Sequence, residues 1–250
     1  ANLRNDNFQI KTLNETEIKS RLDTVLKTLY LLFNEGYFSK TNNRQIRKNF
    51  CSEAVRLTLI LTDNYSTNTS QTNALLALMC FQSSRLEARI NDKGEAVLFD
   101  EQDKTLWDKT LIEKGNYHLV NACNGTEVSK YHLEAGIAHW HTTPTDQNKW
   151  QHILQLYNQL ILIEYSPIIA LNRTFAFAKV YGHDKAIPEA EKLNLTNSNY
   201  FHELLGYLYA DTDFDKAIYH YEQAMGLTKS KIERQTLTKE IERLKEQNSR

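Results

Sequence analysis

Glycine and proline are scarce, at 8 and 3 of 250 residues. All-β folds and nucleotide-binding α/β folds spend many of both on turns and phosphate loops, so neither class is expected. Cysteine is equally sparse. Cys51, Cys80 and Cys123 are odd in number, far apart and set in apolar helical surroundings. Buried free thiols and a reducing, cytoplasmic setting are expected rather than disulfides. A surplus of one charge is also missing, since 30 Lys+Arg face 31 Asp+Glu. Direct nucleic-acid binding or attachment to an anionic membrane surface would need a basic excess, so neither partner is expected. The longest wholly apolar run, Ala74 to Phe81, is far short of the roughly 20 residues of a membrane span. Leu3 to Ser20 is mostly polar, unlike a secretory leader, and the chain begins with Ala rather than Met. A fragment or a processed piece of a longer protein is expected.

What remains is helical periodicity. Asn14 and Glu17 have capping-box spacing ahead of the stripe Ile18, Leu22, Val25, Leu26, Leu29, Leu32 and Phe33. This helix is predicted to stop at Gly36 through a left-handed residue. A second helix is predicted over Arg47–Leu61, with Val55 and Leu59 inward. A third is predicted over Thr69–Ile90, buried on most sides. After the turn signal at Asn91–Gly94 comes a short extended piece, Glu95–Phe99. Helices are then expected at Asp103–Cys123, Glu127–His141, Asp146–Ile163, Pro167–Tyr181, Lys185–Lys192, Ser198–Ala210, Asp213–Leu227 and Ser230–Gln247. Ser166-Pro167 supplies an N-cap and a first-position proline. The predicted class is all-α: a helical array or α-solenoid of about eleven helices, divided at Asn124-Gly125 into domains 1–125 and 126–250.

A repeat is visible late in the chain. DKAI recurs at Asp184–Ile187 and Asp215–Ile218. Around the second copy, Leu205-Gly206 and Ala217, Tyr221 and Ala224 resemble the tetratricopeptide repeat, although the turn is one residue short and no proline follows. Small residues at Gly206 and Ala217 would let two helices approach closely, so degenerate tetratricopeptide-like repeats are expected in the C-terminal half.

Reactive constellations are sparse. The chain contains no HExxH, GxSxG, CxxC, Walker loop or GxGxxG. His132 and His139, seven apart, share a helical face, whereas His139 and His141 do not. A structural pair is the simpler reading, because no further ligand stands at metal spacing. Neither a catalytic residue, a metal nor a cofactor is expected. Arg85 and Arg89, four apart on the predicted third helix, are expected to meet Asp100 or Asp103, with Trp107 covering them. Asn172 and Arg173 interrupt an apolar helix and would form an interhelical hydrogen bond or line a binding groove.

Several strings are specific in combination: LYLLFNEGY (Leu29–Tyr37), CSEAVRL (Cys51–Leu57), ALLALMCFQSSRLEAR (Ala74–Arg89) and GEAVLFDEQDKTLWDKTLIEKG (Gly94–Gly115). YHLEAGIAHWH (Tyr131–His141), LYNQL (Leu156–Leu160) and SPIIALNRTFAFAKVYG (Ser166–Gly182) follow. In this order, from about Leu22 onward, the chain resembles the C-terminal helical, tetratricopeptide-like extension of bacterial extracytoplasmic-function sigma factors. The domains of that family that bind polymerase core and promoter are absent here. The resemblance implies a non-enzymatic module that modulates transcription initiation. Its partners would be RNA polymerase, the sigma factor's own N-terminal domains or another protein. Two alternatives stay open: a free-standing peptide-binding adaptor, and a small-molecule sensor or enzyme with a pocket of Glu35, Arg85, Asp103, His132, His139 and Arg173.

Overall fold

The computed structural model describes residues 14–37, 47–89, 91, 97, 99–143 and 147–248. Every regular element among them is helical. The eleven α-helices are α1 (Glu15–Tyr37), α2 (Lys48–Thr62), α3 (Ser70–Ser83), α4 (Lys109–Ala122), α5 (Lys130–Thr142), α6 (Lys149–Ile163), α7 (Pro167–Tyr181), α8 (His183–Glu191), α9 (Asn199–Tyr209), α10 (Phe214–Leu227) and α11 (Lys231–Asn248). Three single 3-10 turns, at Glu87–Arg89, Phe99–Glu101 and Lys104–Leu106, lie between α3 and α4.

Local chemistry sets most boundaries. At the start of α1 the backbone N–H of Asn14 donates to Glu17 Oε2, and the N–H of Glu17 donates to Asn14 Oδ1. This is a reciprocal capping box. Ser166 accepts from the N–H of Ile169 and Pro167 takes the first position of α7, as predicted. Gly182, with φ of +91°, joins α7 to α8 in a conformation that side chains rarely adopt.

Gly36 corrects the sequence reading. It lies within α1 and not in a left-handed cap. Its role is close approach, because a Cβ there would come within 2.9 Å of the Arg47 carbonyl oxygen and 2.8 Å of Cys51 Sγ. Leu59 is a second correction, being largely exposed, while Val55 packs on the core as expected.

The third helix is shorter than predicted. It starts at the Thr69 cap, whose hydroxyl accepts from the N–H of Thr72, and ends at Ser83. Ser84 donates its hydroxyl to the Phe81 carbonyl at 2.7 Å, and its own carbonyl accepts from the N–H of Asp108. Serine bonding of this kind competes with helix continuation. The predicted helix at Asp103 is replaced by a 3-10 turn capped by Asp103, and α4 begins only after the Asp108 cap. Most of the predicted extended piece Glu95–Phe99 lies outside the described residues, and Phe99 itself opens a 3-10 turn.

Packing follows chain order. Helix α1 packs on α2, α2 on α3, α5 on α6, α6 on α7, and the pairs continue through α8, α9 and α10 to α11. Helix α3 also meets α1, α4 and α5, which explains why Thr72 to Phe81 is buried on every side. Each fully buried Leu or Phe of this kind contributes about 1.5–3 kcal/mol of apolar transfer. One core is built on Leu22, Leu26, Leu29, Phe33 and Met79. Leu133, Ile137, Ile153, Leu160 and Ala176 form the next. A third joins Leu171, Ala186, Phe201, Leu208, Tyr221 and Leu244. Helix α10 lies close on α9 because Gly206 faces the Tyr221 ring, and Ala217 and Ala224 are fully buried. The fold is therefore an all-α stack of sequential helices.

Candidate functional site

Asp103 does not meet the arginines as the sequence suggested. Because α3 ends at Ser83, Arg85 and Arg89 leave a helical face, and both reach Tyr37, Arg85 at its hydroxyl and Arg89 over its ring. The guanidinium carbon of Arg85 lies 4.6 Å from the centre of the Phe99 ring and 5.9 Å from that of Trp107. One of its terminal nitrogens donates to the Tyr37 hydroxyl at 3.3 Å. Arg89 covers the Tyr37 ring at 3.8 Å. Asp103 is exposed and is occupied with the N–H and hydroxyl of Thr105, at 2.8 and 2.7 Å. The side chain of Asp100 lies outside the described residues. Burial lowers the pKa of Arg85, opposed by the Tyr37 hydroxyl.

Trp107 covers Arg85 as expected, and a histidine joins them. The His141 ring meets the Phe99 ring edge-on at 4.9 Å and the Trp150 ring at 5.8 Å. Burial, aided by the positive charges of Lys149 and Arg85, pushes its pKa down to about 3, so it is neutral. Arg85 Nε, Trp107 Nε1 and His141 Nδ1 are all closed off from solvent without a hydrogen-bond partner. Sequence spacing could reveal neither Phe99 nor His141 as members, because the loop after α3 brings them together.

The other candidate residues are dispersed. Glu35 sits on the surface 3.7 Å from Arg47. His132 accepts the N–H of Ser129 at Nδ1, so its Nε2–H faces the Ser70 hydroxyl and the Ala122 carbonyl. His139 pairs with Asn116 at 2.9 Å and meets the edge of Phe81. Burial lowers the pKa of both imidazoles. The two histidines thus serve separate packing contacts. Arg173 Nε donates to Asn158 Oδ1 at 2.6 Å, and Asn172 bonds Tyr157, so both link α7 to α6. Among the described residues, no group of three or more His, Cys, Asp or Glu is arranged to hold a metal ion. No described helix is long and apolar enough to cross a membrane.

The sequence reading overlooked Glu134. Its carboxylate accepts from the Tyr30 hydroxyl at 3.1 Å. Burial raises its pKa to about 7, with Tyr30 and Lys130 opposing. Lys130 lies over the Tyr30 ring at 4.7 Å and pairs with Glu164 at 2.8 Å. A tyrosine on α1 opposite a glutamate on α5 left no short-range signal. The thiols divide as well. Burial holds the pKa of Cys51 at about 11 and that of Cys80 at about 12. Cys123 corrects the reading that all three are buried, for it is exposed at the end of α4.

Residues 21–123, from α1 through α4, match the Family of unknown function (DUF6596). The chain is also similar to Uncharacterized protein R00370 of Rhizobium meliloti (strain 1021). They are 32% identical over 210 residues, covering 79% of this chain and 49% of that protein. The chain thus spans about half the length of the curated relative it matches. No solved structure matches.

Proposed function

We propose that this chain is a non-catalytic regulatory extension of an extracytoplasmic-function sigma factor, acting in the cytoplasm by protein–protein contact to modulate transcription initiation. The ordered strings from Leu29 to Gly182 are the ground for the sigma-factor reading. The close α9–α10 pair, with Gly206 against Tyr221, supports the tetratricopeptide likeness.

The observation that carries the contact role is the apolar corner between α6 and α7. Leu162 is 86% exposed and Tyr165 65%, with Ile163 and Ile168 also largely exposed. Adjacent apolar side chains in water are the ordinary signature of a macromolecular contact. RNA polymerase or the sigma domains are the partners this reading names. Asn172 and Arg173 already bond neighbours on α6, so they give a peptide-binding adaptor no particular support.

The test is a promoter reporter driven by the natural gene product, with and without residues 1–250. Output should change on removal. The sigma domains should also be retained on the immobilised chain, and Leu162→Glu combined with Tyr165→Ser should release them. Equal transcription from both forms would sink the proposal.

A further inference from the structure

We infer that Arg85, Trp107 and His141 form a binding site for the carboxylate of a small organic acid. The site stands whether or not the chain contacts initiation factors.

Three separate segments bring these residues around the Phe99 ring. The Arg85 guanidinium carbon is 4.6 Å from its centre, the His141 ring 4.9 Å and the Trp107 ring 6.1 Å. Arg85 Nε, Trp107 Nε1 and His141 Nδ1 each lack a hydrogen-bond partner although solvent does not reach them. Trp107 is nine-tenths buried. Buried polar atoms are almost always satisfied, so three around one ring require an explanation. The arginine and tryptophan groups can only donate. Nothing but an acceptor can complete them.

Charge narrows the choice. Among the described residues no carboxylate is paired with Arg85, and Asp103 is turned to Thr105. A water molecule would accept these hydrogen bonds without neutralising the guanidinium. A carboxylate does both, and its oxygens accept from several donors at once. The histidine is neutral at ordinary pH, so among the three it adds a hydrogen bond and no charge. Lys149 Nζ, 5.9 Å from the centre of the Phe99 ring, adds positive charge beside the guanidinium, so the aromatic surroundings and not the charge favour an organic acid over phosphate. The flat rings of Phe99, Trp107 and Trp150 packed near these atoms suit a ligand with a flat carbon body.

Sodium benzoate, sodium acetate and sodium phosphate, each titrated into the full chain at constant ionic strength, distinguish these sources. Calorimetry and melting temperature are the readouts. Benzoate should bind saturably and raise the melting temperature, acetate should bind more weakly, and phosphate should do neither. Trp107→Phe keeps one aromatic ring but removes the N–H with part of the ring surface, and should weaken benzoate binding roughly tenfold. Arg85→Lys keeps the charge but loses the fork, and should weaken it at least as much. His141→Gln gives a third arm should either of those variants fold poorly, which its melting curve without ligand reveals. Absence of a saturable response to either acid would overturn the inference. So would benzoate affinity unchanged in every folded variant, or phosphate binding as tight as benzoate.

Discussion

Single residues decide how closely these helices approach, and glycines show it best. A Cβ at Gly206 would lie 2.6 Å from the ring of Tyr221, which is itself buried. Gly206→Ala should therefore cost about 1–3 kcal/mol through overpacking. Gly226, near the end of α10, has open space around the same position. There Gly226→Ala should gain about 0.5–1 kcal/mol from helix propensity. Urea denaturation of the two variants checks the opposite signs. Glu134 supplies a pH dependence. Its folded pKa, about 7, lies above the ordinary carboxyl value of 4.5, so the folded state holds the proton more tightly. The stability this contributes is complete below the unfolded value and is lost as pH rises through the folded one. Melting temperature should accordingly fall between about pH 4.5 and about pH 7, and Glu134→Gln should flatten that fall. An identical slope in the variant would assign the dependence elsewhere.

Elements with strong local punctuation are legible in the sequence. Helix α7 begins where Ser166-Pro167 places it and runs over the expected Pro167–Tyr181. Removing the cap in Ser166→Ala should cost about 1 kcal/mol, read from a shift of the denaturation midpoint at unchanged slope. Helix α3 was legible as a buried rod, since Ala74 to Phe81 is apolar throughout, but not in its length. Its termination depends on Ser84, whose hydroxyl takes a carbonyl of the preceding turn, and on a strap to Asp108 that is distant in sequence. Extending the helix to Ile90 places Arg85 and Arg89 on one face. Ending it at Ser83 sets Arg85 against Phe99, Trp107 and the Tyr37 hydroxyl, and Arg89 over the Tyr37 ring. The expected contact with Asp103 failed for this reason, whereas the Trp107 cover survived because both residues flank the same loop. Buried aromatic and histidine partners such as Phe99 with His141, or Tyr30 with Glu134, are set by long-range packing, which periodicity does not encode.

At the scale of the whole molecule, the polar last helix is a working part of the fold. Leu237, Ile241 and Leu244 on α11 close over Tyr221 and Ala224 of α10. Ending the chain at Thr228 should expose that core, broaden the thermal transition and raise binding of a hydrophobic dye, while retaining most helical circular dichroism. A truncated form that melts as sharply as the full chain would contradict this role. The neighbour-to-neighbour order of helix packing has a mechanical corollary. Force applied between the two termini crosses the α5–α6 and α6–α7 junctions in series, whereas α3, held by α1, α2, α4 and α5, ties the first five helices together. Tension would then separate the helices after α5 in small steps before the cluster around α3 gives way.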